Sequence, residues 1–404
     1  MRDGWRQVTL GDVAAPSTAQ VSAAGSALPY IGLEHFDPGS PTIVRLGKAD
    51  AMESSAVVVQ PGDVLFSKLR PYLNKVAVAE FRAVASTEVL VYRPREGVDL
   101  RPDYLALLLR DQRAIQYAVD RSAGSRMPRT SGKIMSAFEV ALPPLGEQRR
   151  MVDLIAAVDE AIDAADGEAK ASVGALAAAL DKHLSMDGDF RALSELALEP
   201  RGLIGGPFGS SLVSADYRDG GVPVIRGVNM PRAGARDVGG DFVFVTREKA
   251  AALSRNQAVA GDVIFTQRGT IGQVGIIPDE AYEAYVVSQS QMRLRVDTSL
   301  STPEYVRMVF TAPSMVASLK SQDRATANPH INLGVLAATC IPVPSLEVQA
   351  SLVAIWRSWE RAASAARTTA DALRALRSNL LTVLLSGEHE IPASYDRFLE
   401  EAAA

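Results

Sequence analysis

Two long stretches, which start at Leu145 and Leu346, place apolar or small side chains at steps of three and four residues. Such steps keep side chains on one stripe of an α-helix. The first stripe comprises Ile155, Val158, Ile162, Ala165, Ala169, Leu176, Leu180 and Leu184. The second comprises Leu352, Ile355, Trp359, Ala362, Ala366, Leu373, Leu376, Leu380 and Val383. Neither stripe holds enough large apolar residues to form a core alone, so we expect the two helices to bury each other.

Each helical stretch follows a similar segment, which indicates an internal duplication. Residues 61–67 (Pro-Gly-Asp-Val-Leu-Phe-Ser) return as residues 260–266 (Ala-Gly-Asp-Val-Ile-Phe-Thr). Residues 142–148 (Leu-Pro-Pro-Leu-Gly-Glu-Gln) return more loosely as residues 343–349 (Val-Pro-Ser-Leu-Glu-Val-Gln). The offset between the copies is nearly constant, so the order of the chain is globular domain, helix, globular domain, helix.

This order predicts an α+β fold in which two duplicated α/β globular domains are joined by two long antiparallel helices with pseudo-two-fold symmetry. The first helix leads away from the first domain, so the second must run back for the stripes to meet. We divide the chain into a first domain (1–144), a first helix (145–187), a second domain (188–345), a second helix (346–386) and a tail (387–404).

Within the first domain, β-branched residues and turn residues predict strands over 56–66 and 75–92. Pro61 and Gly62 suit the two central positions of a type II turn. Residues 105–119 read as one amphipathic helix. Trp356 lies one residue off the second stripe and is expected to be exposed, either packing at a helix end or anchoring a partner.

The net charge of −5 is unfavourable for a nucleic-acid ligand, but it is unevenly distributed. Residues 1–144 carry 17 Lys and Arg against 15 Asp and Glu, and residues 188–345 carry 15 of each. The excess acid therefore belongs to the helices, and in the first it comprises Asp153, Asp159, Glu160, Asp163, Asp166 and Glu168. Such a face is usually solvated; the alternative is that it docks a basic partner.

Several features predict a soluble cytoplasmic protein. Cys340 is the only cysteine, which excludes an internal disulfide and suits a reducing compartment. The N-terminus lacks the apolar core of a signal peptide, and no run of about 18 uncharged apolar residues could span a membrane.

Several segments resemble motifs of one known family. Residues 142–150 (Leu-Pro-Pro-Leu-Gly-Glu-Gln-Arg-Arg) are similar to the Pro-Pro-Leu-x-Glu-Gln-Arg segment that opens its spacer helix. Residues 29–35, 66–73 and 127–130 resemble one class of its recognition domains, and residues 206–210 and 330–332 resemble another. The chain therefore resembles the specificity subunit of a type I restriction–modification enzyme. One departure is Glu347-Val348-Gln349, which lacks the Glu-Gln-Arg form.

The resemblance implies a non-catalytic, DNA-binding subunit of a phage-defence system. Two target-recognition domains would read the halves of a bipartite site in double-stranded DNA, and the helices would dock two methyltransferase subunits and, in the full complex, restriction subunits. It implies no cofactor in this chain, since S-adenosylmethionine, ATP and Mg would be used by the partners for DNA methylation and cleavage.

The residues themselves supply candidate DNA contacts in the first domain. Residues 121–133 form a basic, hydroxyl-rich segment without acid, which suits phosphate binding but is equally typical of a solvated loop. A second group follows a predicted strand, where it could equally be an ordinary exposed edge. The candidates are Arg121, Arg126, Arg129 and Lys133 in the loop, and Lys68, Arg70, Tyr72 and Lys75 after the strand.

In the second domain, Arg201 opens a Gly-rich loop that could approach DNA closely or simply form a turn. Gln267 and Arg268 occupy the repeat position of Lys68 and Leu69, and both are residue types that read base edges. The remaining candidates are Arg226, Asn229, Arg324, Asn328 and His330. Any of them is individually as consistent with a structural role, His330 especially with an ordinary surface histidine.

Catalytic and metal-binding patterns are missing from the sequence. Gly132-Lys133 lacks the spacing of a phosphate-binding loop, no G-x-G-x-x-G occurs, and four scattered histidines with one cysteine make a zinc site improbable. Binding therefore outranks catalysis. The alternative that remains is a duplicated protein- or glycan-binding scaffold, motivated by the acidic balance, and a cofactor enzyme with an unrecognised site is a weaker third.

Overall fold

The computed structural model describes residues 4–22, 26–44, 46–49, 55–124, 126–185, 188–231, 235–279, 282–322 and 330–397. The chain forms two compact units. Unit 1 takes the described residues up to Ala164 and from Thr369 onward, and unit 2 takes those from Ala165 to Thr368. Both unit boundaries fall inside the long helices.

Unit 1 is a mixed α+β domain with a four-stranded sheet, a five-stranded sheet and a strand pair. Its strands are β1 (Arg6–Thr9), β2 (Ala14–Pro16), β3 (Gln20–Ser22), β4 (Pro29–Ile31), β5 (Gly47–Lys48), β6 (Ser55–Val59), β7 (Val64–Ser67), β8 (Val76–Val78), β9 (Ala83–Ser86), β10 (Val89–Pro94) and β11 (Glu139–Leu142). Its helices are α1 (Leu10–Val13), α2 (Pro102–Arg110), α3 (Gln112–Asp120), α4 (Gly132–Ser136) and the first half of α5 (Leu145–Leu184). The sheet orders are β2-β10-β7-β8, β3-β6-β9-β4-β5 and β1-β11.

Unit 2 repeats this plan with two four-stranded sheets and a strand pair. Its strands are β12 (Phe190–Ala192), β13 (Leu203–Gly205), β14 (Val222–Ile225), β15 (Val243–Val245), β16 (Gln257–Ala258), β17 (Val263–Thr266), β18 (Val274–Ile276), β19 (Tyr285–Val287), β20 (Gln291–Leu294) and β21 (Cys340–Pro342). Its helices are α6 (Arg247–Ala252), α7 (Pro303–Phe310), α8 (Pro313–Ser321), α9 (Leu333–Ala338) and the first half of α10 (Leu346–Ser386). The orders are β13-β20-β17-β18, β15-β14-β19-β16 and β12-β21.

The repeated Gly-Asp turn is held in the same way in both units. Gly62 has a φ of +87° and the N–H of Asp63 donates to the Gln60 carbonyl over 3.0 Å, which confirms the predicted turn. The Asp63 carboxylate accepts from Arg93 Nε at 2.6 Å and Nη2 at 2.8 Å. In unit 2, Asp262 receives Arg295 through two bonds of 2.8 Å. Hydrogen bonding to the carboxylate raises the pKa of both arginines, so each turn is clamped by a charge-assisted pair.

The single helix predicted for residues 105–119 is wrong in detail. The structure has two helices, α2 and α3, separated at Asp111, whose ψ of 141° is extended. The 2% exposed Asp111 carboxylate pairs with Arg113 over 2.6 Å. A one-residue break keeps apolar side chains on the buried side of both helices, so the sequence pattern does not reveal it.

The stripe predicted for the first long helix is confirmed. Ile155, Ile162, Ala165, Ala169 and Leu180 are each at most 8% exposed. The stripe predicted for α10 is displaced by one residue over much of its length. The buried positions of α10 are Val353, Trp356, Ala363, Ala366, Ala370, Leu381, Leu384 and Leu385.

Trp356, which was expected to be exposed, is 3% exposed, whereas Ile355 and Leu376 are 53% and 52% exposed. The phase was misread because α10 is rich in small residues, so two neighbouring stripes both show steps of three and four. Trp356 resolves the ambiguity because it packs into the unit 2 core.

Inside each unit, the beginning of one long helix packs with the end of the other, which makes the pair antiparallel. In unit 1, Met151 and Ile155 of α5 share a core with Leu381 and Leu384 of α10. In unit 2, Leu180 of α5 shares a core with Val353 and Trp356 of α10. The helices therefore bury each other together with the sheets and short helices of each unit.

An acidic residue at the same position of each long helix accepts a buried arginine. In unit 1, Asp159 accepts Arg377 of α10, with Nη2 to Oδ2 at 3.1 Å, and lies 3.6 Å from Arg110 of α2. In unit 2, Glu360 lies 3.2 Å from Arg307 of α7, whose guanidinium stands 4.5 Å from the Trp356 ring. Burial lowers the pKa of Arg110 to about 10, and Asp159 partly compensates.

A glutamine near the start of each long helix connects that helix to the preceding domain. Gln148 is fully buried; its Nε2 donates to the carbonyls of Asp99 and Pro143 at 2.8 Å, and its Oε1 accepts from the N–H of Arg101 at 2.9 Å. Gln349 makes the same bonds to Leu300, Pro344 and Thr302, at 3.0, 2.8 and 3.2 Å. Val348 stands where the first long helix has Glu147, but the second long helix keeps the glutamine contacts of this motif.

The burial pattern of α10 predicts a large effect of leucine-to-aspartate substitution at one position and a small effect at another. Leu381→Asp puts a charge into the unit 1 core and should lower the free energy of unfolding by about 3 kcal/mol or more. Leu376→Asp is the matched control; it should change that free energy by less than about 1 kcal/mol because Leu376 is exposed. Urea unfolding followed by circular dichroism measures both, and equal effects would contradict the observed phase of the helix.

The buried glutamines predict a second pair of stability effects. Gln148→Leu leaves two carbonyls and one N–H without their partner, so it should lower the free energy of unfolding by about 2–4 kcal/mol. Gln349→Leu should have a similar effect on unit 2. The control is Gln112→Leu, at an exposed position of α3. If Gln148→Leu lowers the midpoint temperature of thermal unfolding by no more than this control does, the buried glutamine does not stabilise the junction between helix and domain.

Candidate nucleic-acid interface

Some of the predicted site residues of each unit lie at one turn between two strands. In unit 1 this turn joins β9 to β10; the N–H of Lys68 donates to the Glu88 carbonyl at 2.9 Å and the N–H of Thr130 donates to the Lys68 carbonyl at 3.0 Å. In unit 2 the turn joins β19 to β20. There the N–H of Gln267 donates to the Ser290 carbonyl at 2.7 Å, and the N–H of Ile331 donates to the Gln267 carbonyl at 3.0 Å. The same backbone network therefore holds the same loops together twice.

In unit 1 the network places the basic loop against the segment that follows β7. The N–H of Arg70 donates to the Pro128 carbonyl at 2.8 Å, and Arg129 forms isolated bridges with Leu69 and with Ala123. The loop then ends at Ser131, whose side chain accepts from the N–H of Ile134 and caps α4. Two segments that are about 60 residues apart in the sequence thus meet, which the sequence analysis did not predict.

A cavity of about 420 Å³ lies beside this turn. Arg129 Nη2 stands 2.9 Å from Glu88 Oε2, and Lys68 Nζ donates to the Thr87 carbonyl. The remaining wall combines apolar side chains with the polar side chains of Ser17, Thr18, Gln20, Thr130 and Ser131. The result is a surface on which donors surround one carboxylate, a composition suited to phosphate and base-edge contacts.

The other unit 1 candidates are placed in two ways. Arg126 and Lys133 are exposed, Tyr72 is 52% exposed, and Arg121 is exposed with its guanidinium 3.8 Å from the Tyr117 ring. Lys75 is different, because its Nζ donates to the Leu33 carbonyl at 2.6 Å and so braces a neighbouring segment. Arg70 adopts the left-handed region with a φ of +52°, which turns the chain after β7.

In unit 2 the candidates surround the turn at residues 288–290. Arg268 bridges to His330, and the N–H of Arg268 donates to the Ser290 carbonyl at 3.2 Å. Arg226 borders a cavity of about 470 Å³ together with Ser288, Gln289 and Ser290. Gln267, Arg268, His330 and Arg226 therefore lie around one turn, where unit 1 places Lys68 and Arg129.

Two further unit 2 candidates have internal roles. Asn229 is 1% exposed; its Oδ1 accepts from the N–H of Arg226 at 3.0 Å and its Nδ2 donates to two carbonyls, of Gly239 and Asp241. Asn229 stabilises its own loop through these bonds, so we leave it out of the proposed DNA-contact surface. Arg201 is exposed with a φ of +68°, and its carbonyl accepts from Arg293 at 2.7 Å. Arg324 and Asn328 lie outside the described residues.

Three residues at or near these turns are candidates that the sequence analysis did not include. Glu88 pairs with Arg129, and Gln289 donates through Nε2 to the carbonyls of Gly209 and Leu212. Phe208, in the Gly-rich loop, is 91% exposed. The repeat offset could have located Glu88 from its equivalence with Ser290, but the exposure of Phe208 has no sequence signal.

The described part of the chain offers neither a metal site nor a membrane span. No group of three or more His, Cys, Asp or Glu side chains there is arranged to hold a metal ion. None of the helices, within the same residues, has both the length and the hydrophobicity needed to cross a bilayer.

Comparison with known families gives a match in both halves of the chain. A family model for the type I restriction modification DNA specificity domain matches residues 2–171 and 212–365, which together make up most of the chain. A search of curated protein sequences found no significant match.

Solved structures share the fold along the whole chain. A chain from a study of complex assembly and conformational transition of the type I R-M system aligns with a TM-score of 0.67 at 21% identity, over 95% of this chain and 98% of its own. The HsdS subunit from Thermoanaerobacter tengcongensis aligns with a TM-score of 0.50 at 21% identity, over 96% and 98%. The S subunit from M. genitalium gives 0.53 at 11% identity, over 94% and 96%. At these identities the likeness shows the fold.

The basic loop of unit 1 provides a direct test of DNA binding. Arg126→Ala combined with Arg129→Ala should weaken binding to double-stranded DNA and reduce the slope of log affinity against log salt by about 1 for each phosphate that the variant no longer neutralises. Arg149→Ala is the control, because Arg149 is an exposed arginine on α5 paired with Asp153. Fluorescence anisotropy from about 50 to 200 mM salt measures both quantities. An unchanged slope in the double variant would remove this loop from the phosphates.

Proposed function

Because this chain belongs to the family of type I restriction–modification DNA specificity subunits, we propose that it reads a bipartite DNA target and docks methyltransferase and restriction subunits on its long helices. The family consists of non-catalytic subunits, so the chain is not itself the enzyme. Its role in the complex is to determine which DNA sequence the catalytic partners act on.

The observation that carries the bipartite reading is the duplicated turn. Both units use the same backbone bonds to bring a post-strand segment, a loop and a strand turn together. The side chains differ between the copies, with Lys68, Glu88 and Arg129 in one and Gln267, Ser290 and His330 in the other. Identical frames with different donors and acceptors are what two readers of different half-sites require.

Most of the predicted contacts are retained in this proposal. In unit 1 they are Lys68, Arg70, Tyr72, Arg121, Arg126, Arg129 and Lys133; in unit 2 they are Arg201, Arg226, Gln267, Arg268 and His330. Arginine and lysine would bind phosphates, whereas glutamine, histidine and the newly identified Glu88 carry the hydrogen-bonding groups that distinguish bases.

The long helices carry the proposed docking surface. The exposed acids Glu160 and Asp163 lie on the α5 half of unit 1, and the exposed Leu376 lies on the α10 half of the same unit. In unit 2, Ile355 of α10 is 53% exposed. Acidic and apolar side chains on helices whose other face is buried suit a protein partner better than DNA, because carboxylates repel phosphates.

The proposal assigns the cofactors to the partners. S-adenosylmethionine would be used by two methyltransferase subunits, and ATP and Mg by the restriction subunits, in the cytoplasm. The alternative of a protein- or glycan-binding scaffold rested on the acidic balance alone, and that acid lies on the long helices instead of the duplicated turns.

Methylation mapping tests the proposal. When the chain is produced with its cognate methyltransferase subunits, methylated adenines should occur in a two-part sequence with a fixed gap, and they should disappear when the chain is omitted. Arg129→Ala should relax the sequence preference in one half only, and Arg268→Ala in the other half, since each lies in a different unit. Sequencing that detects methylated adenine genome-wide measures all four cases.

Three results would contradict it. A methylation pattern that does not depend on the chain would refute the specificity role. A contiguous methylated sequence would refute the two-reader assignment. Relaxed preference in the same half for both variants would show that the duplicated turns do not read separate half-sites.

A further inference from the structure

Phe208 is the most exposed large apolar residue of those described, at 91%. The next is Val228, at 75%, and both adjoin one cavity, since Gly209 and Gly227 line it. A phenylalanine in water keeps its full apolar surface hydrated, and two highly exposed apolar residues beside one cavity offer a partner more apolar surface than a single residue would.

The loop that presents Phe208 is held rigidly. Pro207 is buried, Gly209 has a φ of +53°, and Gln289 Nε2 bonds the carbonyls of Gly209 and Leu212 at 2.5 and 3.0 Å. A Cβ at Gly206 would collide with the Ser288 carbonyl, so only glycine permits this close approach. These contacts fix the backbone on both sides of Phe208, so the fold of the loop holds this residue at the surface.

Phe208 lies in a loop that is bonded to the turn of unit 2 at residues 288–290. Gln289, which holds the loop, lies between Ser288 and Ser290, and Ser290 accepts from the N–H of Arg268. Arg226 borders the same cavity, and its buried Nε has no hydrogen-bond partner among the residues that the structure describes. The loop that carries Phe208 and the Arg226 side chain therefore border one cavity, and an apolar ring near a cation suits a nucleic acid, which offers stacked bases next to phosphates.

Unit 1 shows no counterpart of this ring among its described residues. In unit 2 the Phe208 loop follows β13. The equivalent strand of unit 1 is β2, and there the chain continues into β3, which pairs with β6. The equivalence follows from the pairing of β2 with β10 and of β13 with β20. Any distortion caused by the Phe208 ring would be confined to one half of the target.

We propose that Phe208 inserts between neighbouring base pairs of the half-site read by unit 2, while Arg226 binds an adjacent phosphate. This inference rests on the proposed DNA-reading function and specifies its physical mode. Apolar wedges that enter a base step unstack it and bend the duplex, and flexible pyrimidine–purine steps unstack most easily. The second unit would thereby select a deformable step in addition to base edges.

The test uses the complex of this chain with its methyltransferase subunits and a duplex that contains the mapped target. A series of duplexes carries 2-aminopurine at successive positions of the half-site, because the fluorescence of this base rises when it is unstacked. We expect the fluorescence to rise at one step with the wild-type chain and not with Phe208→Ala, whose affinity should fall about ten-fold. Phe208→Trp should retain both properties.

Phe190→Ala is the matched control, since Phe190 is a 44% exposed phenylalanine on β12; it should keep the fluorescence rise and the affinity. Wild-type binding without a rise at any position would overturn the insertion and leave the proposed function intact. Loss of methyltransferase assembly by Phe208→Ala in the absence of DNA would also overturn it, because the ring would then contact protein. Failure of the wild-type complex to bind a two-part target would overturn the proposed function itself.

Discussion

The buried glutamine at the start of each long helix is the interaction on which the arrangement of each unit depends. Gln148 and Gln349 satisfy two carbonyls and one N–H in places that water does not reach. Two of the three bonds tie the first turn of each helix to the segment before α2 or α7, and the third goes to the carbonyl of a proline just before the helix, Pro143 or Pro344. Removing the amide would strand three polar groups, so the direction in which each helix leaves its domain is determined by hydrogen bonding as well as apolar packing.

Electrostatic pairs extend this attachment along the helices. Asp159 and Glu360 occupy equivalent positions, and each accepts an arginine from the domain whose chain precedes that helix, Arg110 in unit 1 and Arg307 in unit 2. Both arginines are nearly buried, so their charge would be costly without the carboxylate. Part of the acid on the long helices is thus half-buried in ion pairs with arginine, and the exposed remainder is what a partner subunit would meet in the proposed complex.

Much of the architecture was predictable because its signals are local or repeated. The duplication, the Gly62 turn and the α5 stripe were correct, since each depends on spacing along the chain. The α10 phase failed because several small residues leave two stripes equally plausible until Trp356 is placed. At the candidate interface, the structure places Arg129 and Arg268, both predicted from the sequence, at the two turns, but the burial of Asn229 and the pairing of Glu88 depend on tertiary contacts that spacing does not encode.

Main-chain hydrogen bonds form the frame of each duplicated turn. In unit 1, residue 68 donates to residue 88 and accepts from residue 130; in unit 2, residue 267 donates to residue 290 and accepts from residue 331. Main-chain bonds form with any residue except proline at the donating positions, so the side chains there can change while the frame is kept. Under the proposed function, substitutions at these turns would change the recognised sequence and leave the long helices unaltered. The choice of target could then evolve independently of the surface that the helices offer to partner subunits.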